Sequence, residues 1–555
     1  PSSRRVLVAV AWPYAQGPLH LGHMAGAYLP ADIFARYHRS AGNDVLMVSG
    51  SDQHGTPITF RADQEGVTPQ EVVDRFHPEF LSYWRDLGIS FDLFTTTGTK
   101  NHERVTHDMF LRLRDNGYLY KETSRQLFDP ETERFLPDRY VEGTCPHCGY
   151  EAARGDQCDN CGRTLDPQDL IDPRSKLSGA KPVMKDTEHY FLRLSALQDE
   201  LLEWLESRRG WRKHVQNSAV GFVKEGLLDR AITRDIGWGV SVPVDDLGPG
   251  KRIYVWFEAV IGYLSAAKEW SQLEGDPERW RAWWEDSNAL SYYFVGKDNI
   301  PFHTIIWPAM LMGYGGLNLP TDVPANQYVT FRGEKASKSR GVGKSVLWYL
   351  DRFEVDALRY ALATNLPEQG DTDLTDAEMV RRVNEELVAT WGNLVHRAVS
   401  MTRRYFGGVV PEPEGIDDRD RALLAGVDEA LVEVGEQVEA VRLKAGLATA
   451  MGAAQDTNVY LSQTEPWKTA ESDQSRTGTT LWVVLNAIAR LNVAFSPYLP
   501  FTAQRVHGLL GFQGGYRRSR LAAAAGGGGL PARRSRPPVC QDGDGRSRGG
   551  LTHRR

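Results

Sequence analysis

RVLVAVAWPYAQGPLHLGH, residues 5–23, is the stretch whose reading decides the fold. Its first half is a short apolar, β-branched run, the pattern of a strand buried on both faces of a parallel sheet. A Pro/Gly loop follows, then a helical stretch from about Leu21 to Ser40. DVLMVSGSD (44–52) is a second strand that ends in polar residues. Strand, loop, helix and strand open a Rossmann-type, doubly wound α/β sheet, in which ligands bind at the carboxyl ends of the strands. The apolar run is broken by Trp12-Pro13-Tyr14 and no small-residue cleavage site follows, so it reads as a first strand rather than a secretory leader.

Working outward, 555 residues predict two to four domains. Residues 1–119 are the first half of the α/β domain. Residues 120–240 are an insertion; its first part, 120–182, is rich in Pro, Gly, Asp and Cys and poor in periodicity. Residues 241–353 resume the domain, with strand patterns at RIYVWFEAV (252–260) and LSYYFVGKD (290–298) and a Gly/Lys/Ser loop, GEKASKSRGVGKS (333–345). Residues 354–514 are helical with few breaks, an all-α bundle. Residues 515–555 carry ten Arg, no Lys and almost no large apolar residue. That composition predicts a disordered, functionless tail and fits an out-of-frame reading of a GC-rich gene.

Apolar residues at 41% and charged residues at 25% suit a globular chain. No apolar run approaches the roughly 20 residues of a membrane span. A net charge of −7 argues weakly against a nucleic-acid partner but says little about local patches. Four of the five Cys sit in two close pairs, which reads as metal binding in a reducing compartment rather than a disulfide framework.

Three motifs carry chemistry. In HLGH (20–23), His20 and His23 share one face at a helix start, and Gly17 and Gly22 let backbone approach a ligand. Backbone N–H groups and the positive end of the helix dipole attract phosphate there, and the imidazoles can donate to a pentavalent phosphate. The bland alternative is a helix start with two surface His. In GEKASKSRG (333–341), Lys335 and Lys338 supply point charges on a Gly-flanked loop that suits a pyrophosphate leaving group. In CPHCGYEAARGDQCDNC (145–161), Cys145, Cys148, Cys158 and Cys161 form two CxxC knuckles, a tetrahedral set for one structural Zn2+ per chain; His147 is a bystander.

Taken together, HLGH after the first strand and KASKS about 310 residues later resemble the paired signatures of the class I aminoacyl-tRNA synthetases. PYAQGPLHLGH (13–23), SDQHGTPI (51–58), YVWFEAVIGY (254–263) and FVGKDNIPFHTIIWPAML (294–311) narrow the resemblance to the methionyl family, and the likeness runs from about residue 6 to 511. The resemblance implies activation of L-methionine by ATP with Mg2+, then transfer to tRNA(Met), in a cytoplasmic monomer without a membrane partner. It implies that His20, Gly22, His23, Lys297, Asp298, Lys335, Ser337, Lys338 and Ser339 serve ATP, with His20, His23, Lys335 and Lys338 catalytic. Asp298 would contact ribose or order its neighbours. Asp52 would hold the substrate ammonium. Trp12, Tyr14, Trp256, Ala259, Val260, Tyr263 and His303 would line the side-chain pocket, where a polarisable thioether suits aromatic edges and Tyr263 and His303 would reach the sulfur. Departures from the family pattern are Ala336 for Met, Glu258 for Asp, Val260 for Pro, and Asn299 for an apolar residue; Ala336 bears on the loop and Asn299 on the pocket wall.

Within the helical bundle, Asn393 and Arg397 lie four apart on one helix face and Trp467 follows Pro466. By the resemblance these three read a CAU anticodon, since splayed bases are recognised by stacking and edge hydrogen bonds. Two other classes compete. A small HxGH nucleotidyltransferase lacks the Cys knuckles and the helical domain. A zinc-ribbon binding protein does not explain HLGH and KASKS together. The leucyl, isoleucyl and valyl enzymes carry a large editing insert, and the roughly 60-residue first part of the insertion here, 120–182, is spent on zinc.

Overall fold

A computed structural model describes residues 3–137, 140–155, 158, 160, 165, 169–331, 334–335 and 344–513. Its centre is a five-stranded parallel sheet of β1 (Arg5–Val10), β2 (Asp44–Ser51), β3 (Leu93–Thr96), β4 (Leu290–Gly296) and β5 (Ala325–Asn326), ordered β5-β4-β1-β2-β3. Val6 pairs with Val45 on one side and with Leu290 on the other. The strand order therefore reverses beside β1, which opens a crevice at the carboxyl ends of β1 and β4. Every residue of β1 from Val6 to Val10 is buried. Val6, Val8 and Val10 face one apolar cluster and Leu7 and Ala9 face another, the alternation a strand between two layers must show.

The helical stretch after HLGH is three pieces: Leu21–His23, a π-helical turn Met24–Tyr28, and helix α1 (Leu29–Ser40). The segment RIYVWFEAV departs from the strand expected of it. Only Lys251–Ile253 is extended, and helix α2 (Val255–Leu273) begins two residues later. This helix is buried on nearly every side, between the sheet and helix Lys100–Asp115, so no polar face marks its period, and short apolar runs of either kind look alike.

The insertion builds a four-stranded antiparallel sheet around Leu119–Asp129 and Val183–Leu192, and a three-stranded one of Val141–Thr144, Ala153–Arg154 and Ile171–Ser175. The smaller sheet has its own core, which includes Cys145 and Cys158.

After the sheet come α3 (Val355–Ala363), α4 (Asn393–Phe406), α5 (Leu443–Thr464) and α6 (Gln474–Phe495), with further helices Asp418–Glu439 and Pro500–Leu509. By length and composition α6 is apolar enough to cross a membrane, but 78% of its apolar window is buried in the bundle, so it is a core helix. The expected run of helices is also broken by a strand, Thr372–Asp373, which pairs in parallel with Val329–Phe331 at the base of the Lys-rich loop. One apolar cluster runs unbroken from the sheet into the bundle. Across that junction Arg359 of α3 pairs with Asp32 of α1 at 2.7 Å, both side chains fully buried. Arg359 also donates to the carbonyls of Leu87, Pro497 and Tyr498, and Ser90 donates twice to Asp32. Burial opposes ionisation of Asp32, but Arg36 and Arg359 outweigh it and hold the carboxyl well below its usual range.

Candidate active site

The loop that leaves β1 carries the first group of residues. His20 caps the turn Leu21–His23, and a reciprocal box closes around it: the Gly22 N–H donates to His20 Nδ1 (3.1 Å) and the His20 N–H donates to His23 Nδ1 (3.2 Å). The two rings lie with centroids 3.9 Å apart. Because a backbone N–H occupies each Nδ1 lone pair, each neutral ring carries its proton on Nε2. Gly22 is required here, since a Cβ at that position would stand 2.9 Å from the His20 ring.

Lys297 and Asp298 follow β4 directly. Lys297 Nζ is 2.9 Å from Asp371 and 3.7 Å from the Tyr328 ring centroid, while the Tyr328 hydroxyl donates to Asp298. Asp371 and Tyr328 escaped sequence reading; their only signal was proximity to the strand that the helical pattern concealed. Ser337, Lys338, Ser339, Ala336 and the side chain of Lys335 lie outside the described residues.

Asp52 directly follows β2 and is 3% exposed. Its backbone bridges to Tyr14, and its carboxylate accepts from the His54 N–H at 3.1 Å. Burial, and then the neighbouring Glu258 carboxylate, push the Asp52 carboxyl up to about 8. Glu258 accepts from His54 Nδ1 at 2.8 Å and lies 3.4 Å from His102 Nε2. Burial disfavours both charges of the Glu258–His54 pair, yet mutual attraction wins: His54 is raised and Glu258 lowered. The His54 ring is thus bonded to Glu258 rather than to Asp52, and a cation placed at Asp52 would favour its ionised form.

Beside it stand the expected pocket residues. Trp12 meets Tyr263 edge-on at 6.4 Å, and Tyr14 meets Trp256 edge-on at 6.1 Å. Trp256 stacks at 4.0 Å on Phe302, which sequence reading missed. Ala259 and Val260 lie on α2 between Trp256 and Tyr263. Trp12 lies so close to α2 that a Cβ on Gly262 would stand 2.7 Å from its ring. The Tyr263 hydroxyl is 2.7 Å from His303 Nε2, and His303 Nδ1 is 2.9 Å from the carbonyl of Asn299. Burial pushes His303 down to about 4, so it is neutral near pH 7. Asn299 thus acts on the pocket through its backbone.

Away from the crevice, the sulfurs of Cys145, Cys148 and Cys158 all lie within 4.8 Å of one another; Cys161 lies outside the described residues. The His147 N–H points at Cys145 Sγ and the Asn160 amide at Cys148 Sγ. The Asn160 amide and then the Tyr150 backbone draw the Cys148 thiol down to about 6. Converging thiols with N–H donors to sulfur fit a thiophilic cation. In the bundle, the Arg397 guanidinium lies 5.2 Å from the ring centroid of Trp467, which is 40% exposed, and Asn393 is exposed one turn earlier on α4.

A cleft of about 840 Å3 separates the crevice from the insertion. Tyr14, His54 and Trp256 line one side, and Arg125, Leu127 and Phe135 the other.

Comparison with known proteins agrees with this geometry. Residues 6–399 match the family described as tRNA synthetases class I (M), and residues 410–522 match the anticodon binding domain of methionyl tRNA ligase. The chain is 56% identical over 517 residues to a methionine--tRNA ligase of Roseiflexus sp. (strain RS-1), covering 92% of this chain and 87% of that one. It is 52% identical over 510 residues to that of Dehalococcoides mccartyi (strain ATCC BAA-2266 / KCTC 15142 / 195), covering 92% of each. Among solved structures, Mycobacterium tuberculosis methionyl-tRNA synthetase bound by methionyl-adenylate superposes with a TM-score of 0.79 at 28% identity, covering 97% of this chain and 99% of that one.

Proposed function

Since the chain belongs to the class I methionine--tRNA ligase family, we propose that its central crevice joins L-methionine to ATP, releasing pyrophosphate, and then passes the methionyl group to the 3' end of tRNA(Met). The observation that carries this reading is Asp52, a buried carboxyl held by backbone bonds to the loop that leads from β1 into HLGH and set beside an aromatic pocket. An α-ammonium is the cation that pairs with it, and the Trp12, Tyr14, Trp256, Ala259, Val260, Tyr263 and His303 pocket takes the thioether.

In the first half-reaction a carboxylate oxygen of methionine attacks the α-phosphorus of ATP, which enters with Mg2+. Charge grows on the phosphate oxygens, and Nε2–H of His20 and of His23 donate to it. Gly22, Lys297, Asp298, Ser337 and Ser339 complete the ATP site, with Lys335 and Lys338 following the pyrophosphate as it departs. In the second half-reaction the tRNA 3' end enters through the cleft under the insertion, a hydroxyl of its terminal ribose attacks the methionyl carbonyl, and AMP leaves. Cys145, Cys148, Cys158 and Cys161 would hold one Zn2+, whose role would be to brace that insertion rather than to take part in the reaction. Asn393, Arg397 and Trp467 read the anticodon.

Methionine-dependent exchange of labelled pyrophosphate into ATP tests the first half, and charging of purified tRNA with each of several amino acids tests the second. Exchange without methionine dependence, or charging with another amino acid, overturns the reading.

A further inference from the structure

Behind the HLGH turn runs a chain of hydrogen bonds that joins three parts of the molecule. Gly26 lies in the π-helical turn Met24–Tyr28, three residues past His23. A π turn displaces carbonyls from their usual helical partners, and a buried carbonyl then needs a donor from elsewhere. The Gly26 carbonyl accepts from Asn326 Nδ2 at 2.8 Å. Asn326 ends β5 and is 1% exposed, and its Oδ1 accepts from Arg212 Nη1 at 2.7 Å. The same nitrogen donates to the Ala325 carbonyl at 3.0 Å, and Nη2 donates to the Val441 carbonyl at 3.2 Å.

Each station belongs to a different part of the fold. Arg212 caps helix Lys213–Lys224 of the insertion, and Val441 sits at φ +53 in the tight turn before α5 of the bundle. Burial disfavours the charge of Arg212, and two carboxylates offset part of that cost. Glu368, whose carboxylate accepts from the N–H groups of Leu443 and Lys444, and Asp322 both act on the guanidinium. Only a planar fork fills these directions at once; an ammonium group does not.

We propose that Arg212 is a positioning residue for ATP: through Asn326 it sets where the HLGH turn stands, and through Val441 it ties that turn to the helical bundle. The inference rests on the reading of His20 and His23 as phosphate donors. Displacing a turn by about 1 Å is enough to cost up to two orders of magnitude in rate.

Two variants isolate the chain. Asn326→Asp keeps the acceptor for Arg212 and deletes the donor to Gly26. Arg212→Lys keeps the charge and deletes the fork. In both, pyrophosphate exchange at saturating methionine should show KM for ATP raised at least roughly fivefold and kcat lowered roughly tenfold. Methionine Kd, measured without ATP by tryptophan fluorescence, should stay within about twofold of the parent, a split that general loosening of the fold does not produce. KM for ATP unchanged in both variants overturns the proposal, as does a methionine Kd that weakens in step with it. Absence of exchange in the parent protein would instead sink the reading of the crevice on which the proposal rests.

Discussion

The hydroxyl of Tyr263 donates to Nε2 of His303 across 2.7 Å. A carbonyl can only accept, so His303 Nδ1, 2.9 Å from the Asn299 carbonyl, must carry the ring proton, and Nε2 must be the acceptor. The hydroxyl proton of Tyr263 is thereby committed to the imidazole. Sequence reading gave both residues a hydrogen bond to the methionine sulfur; in this structure Tyr263 must turn its hydroxyl from His303 to make one. Tyr263→Phe should leave Nε2 buried without a partner and destabilise the protein by about 1–3 kcal/mol. A thermal melt should show a lower Tm, with KM for ATP unchanged. An unaltered Tm would mean that the bond is idle.

The raised Asp52 carboxyl makes methionine binding pH-dependent. Only the ionised carboxylate pairs with an ammonium, so methionine Kd should tighten as pH rises from 6 towards 8, approaching tenfold per unit well below the folded value of about 8, and then level off. Without methionine the sign for stability is opposite. The folded state holds this proton to higher pH than the unfolded chain, so Asp52 erodes stability between about pH 4 and 8. Asp52→Asn should therefore abolish methionine binding yet raise the Tm of the ligand-free protein at pH 8. A lowered Tm would show that Asp52 serves the fold.

Trp467 should act on tRNA alone. Base–aromatic stacking is worth about 1–3 kcal/mol by alanine substitution. Trp467→Ala should weaken tRNA charging by roughly one to two orders of magnitude and spare pyrophosphate exchange. Equal loss of both activities would make it a folding residue, and loss of neither would move anticodon reading to other side chains.

The insertion should contain one zinc per chain. Elemental analysis of freshly purified protein checks the ratio, and Cys148→Ser should lower it and lower Tm. Full activity in zinc-free protein would remove the metal from the account.

Arg359→Met should cost about 3–5 kcal/mol, because it breaks a buried pair, leaving Asp32 with Arg36 as its one arginine partner, and strips the carbonyls of Leu87, Pro497 and Tyr498 of a donor. The double variant Arg359→Met/Asp32→Leu should recover much of the loss. Urea melts of the three proteins give the coupling, and additive losses would show that the pair is not a unit.

How much of this was legible follows from where each signal lies. β1, β2 and β4 announce themselves as β-branched runs ending in polar residues. HLGH and the Cys pairs are local spacings, read directly. The helix α2 was misread because burial on all sides erases the polar face that period analysis needs. The π turns at Met24–Tyr28, Phe302–Ile306 and Val383–Gly392 were invisible, since one widened turn leaves an apolar pattern helical; among the described residues each borders a proposed binding surface. Pairings such as His54 with Glu258, or Gly26 with Asn326, join residues 204 and 300 positions apart, and no local pattern encodes them.

The pairing of Val6 with Leu290 also sets a timetable for the nascent chain. The strand that covers one edge of β1 leaves the ribosome nearly three hundred residues after β1 itself. At about 5–20 residues per second that edge stays open for roughly 15–60 s. During that wait the most apolar strand of the sheet is a template for any extended peptide nearby. The insertion, with its own small core and local antiparallel pairings, can form in the interval. An unpaired β1 edge is therefore where trigger-type chaperones should be found on the growing chain, and where overproduction without them should drive aggregation.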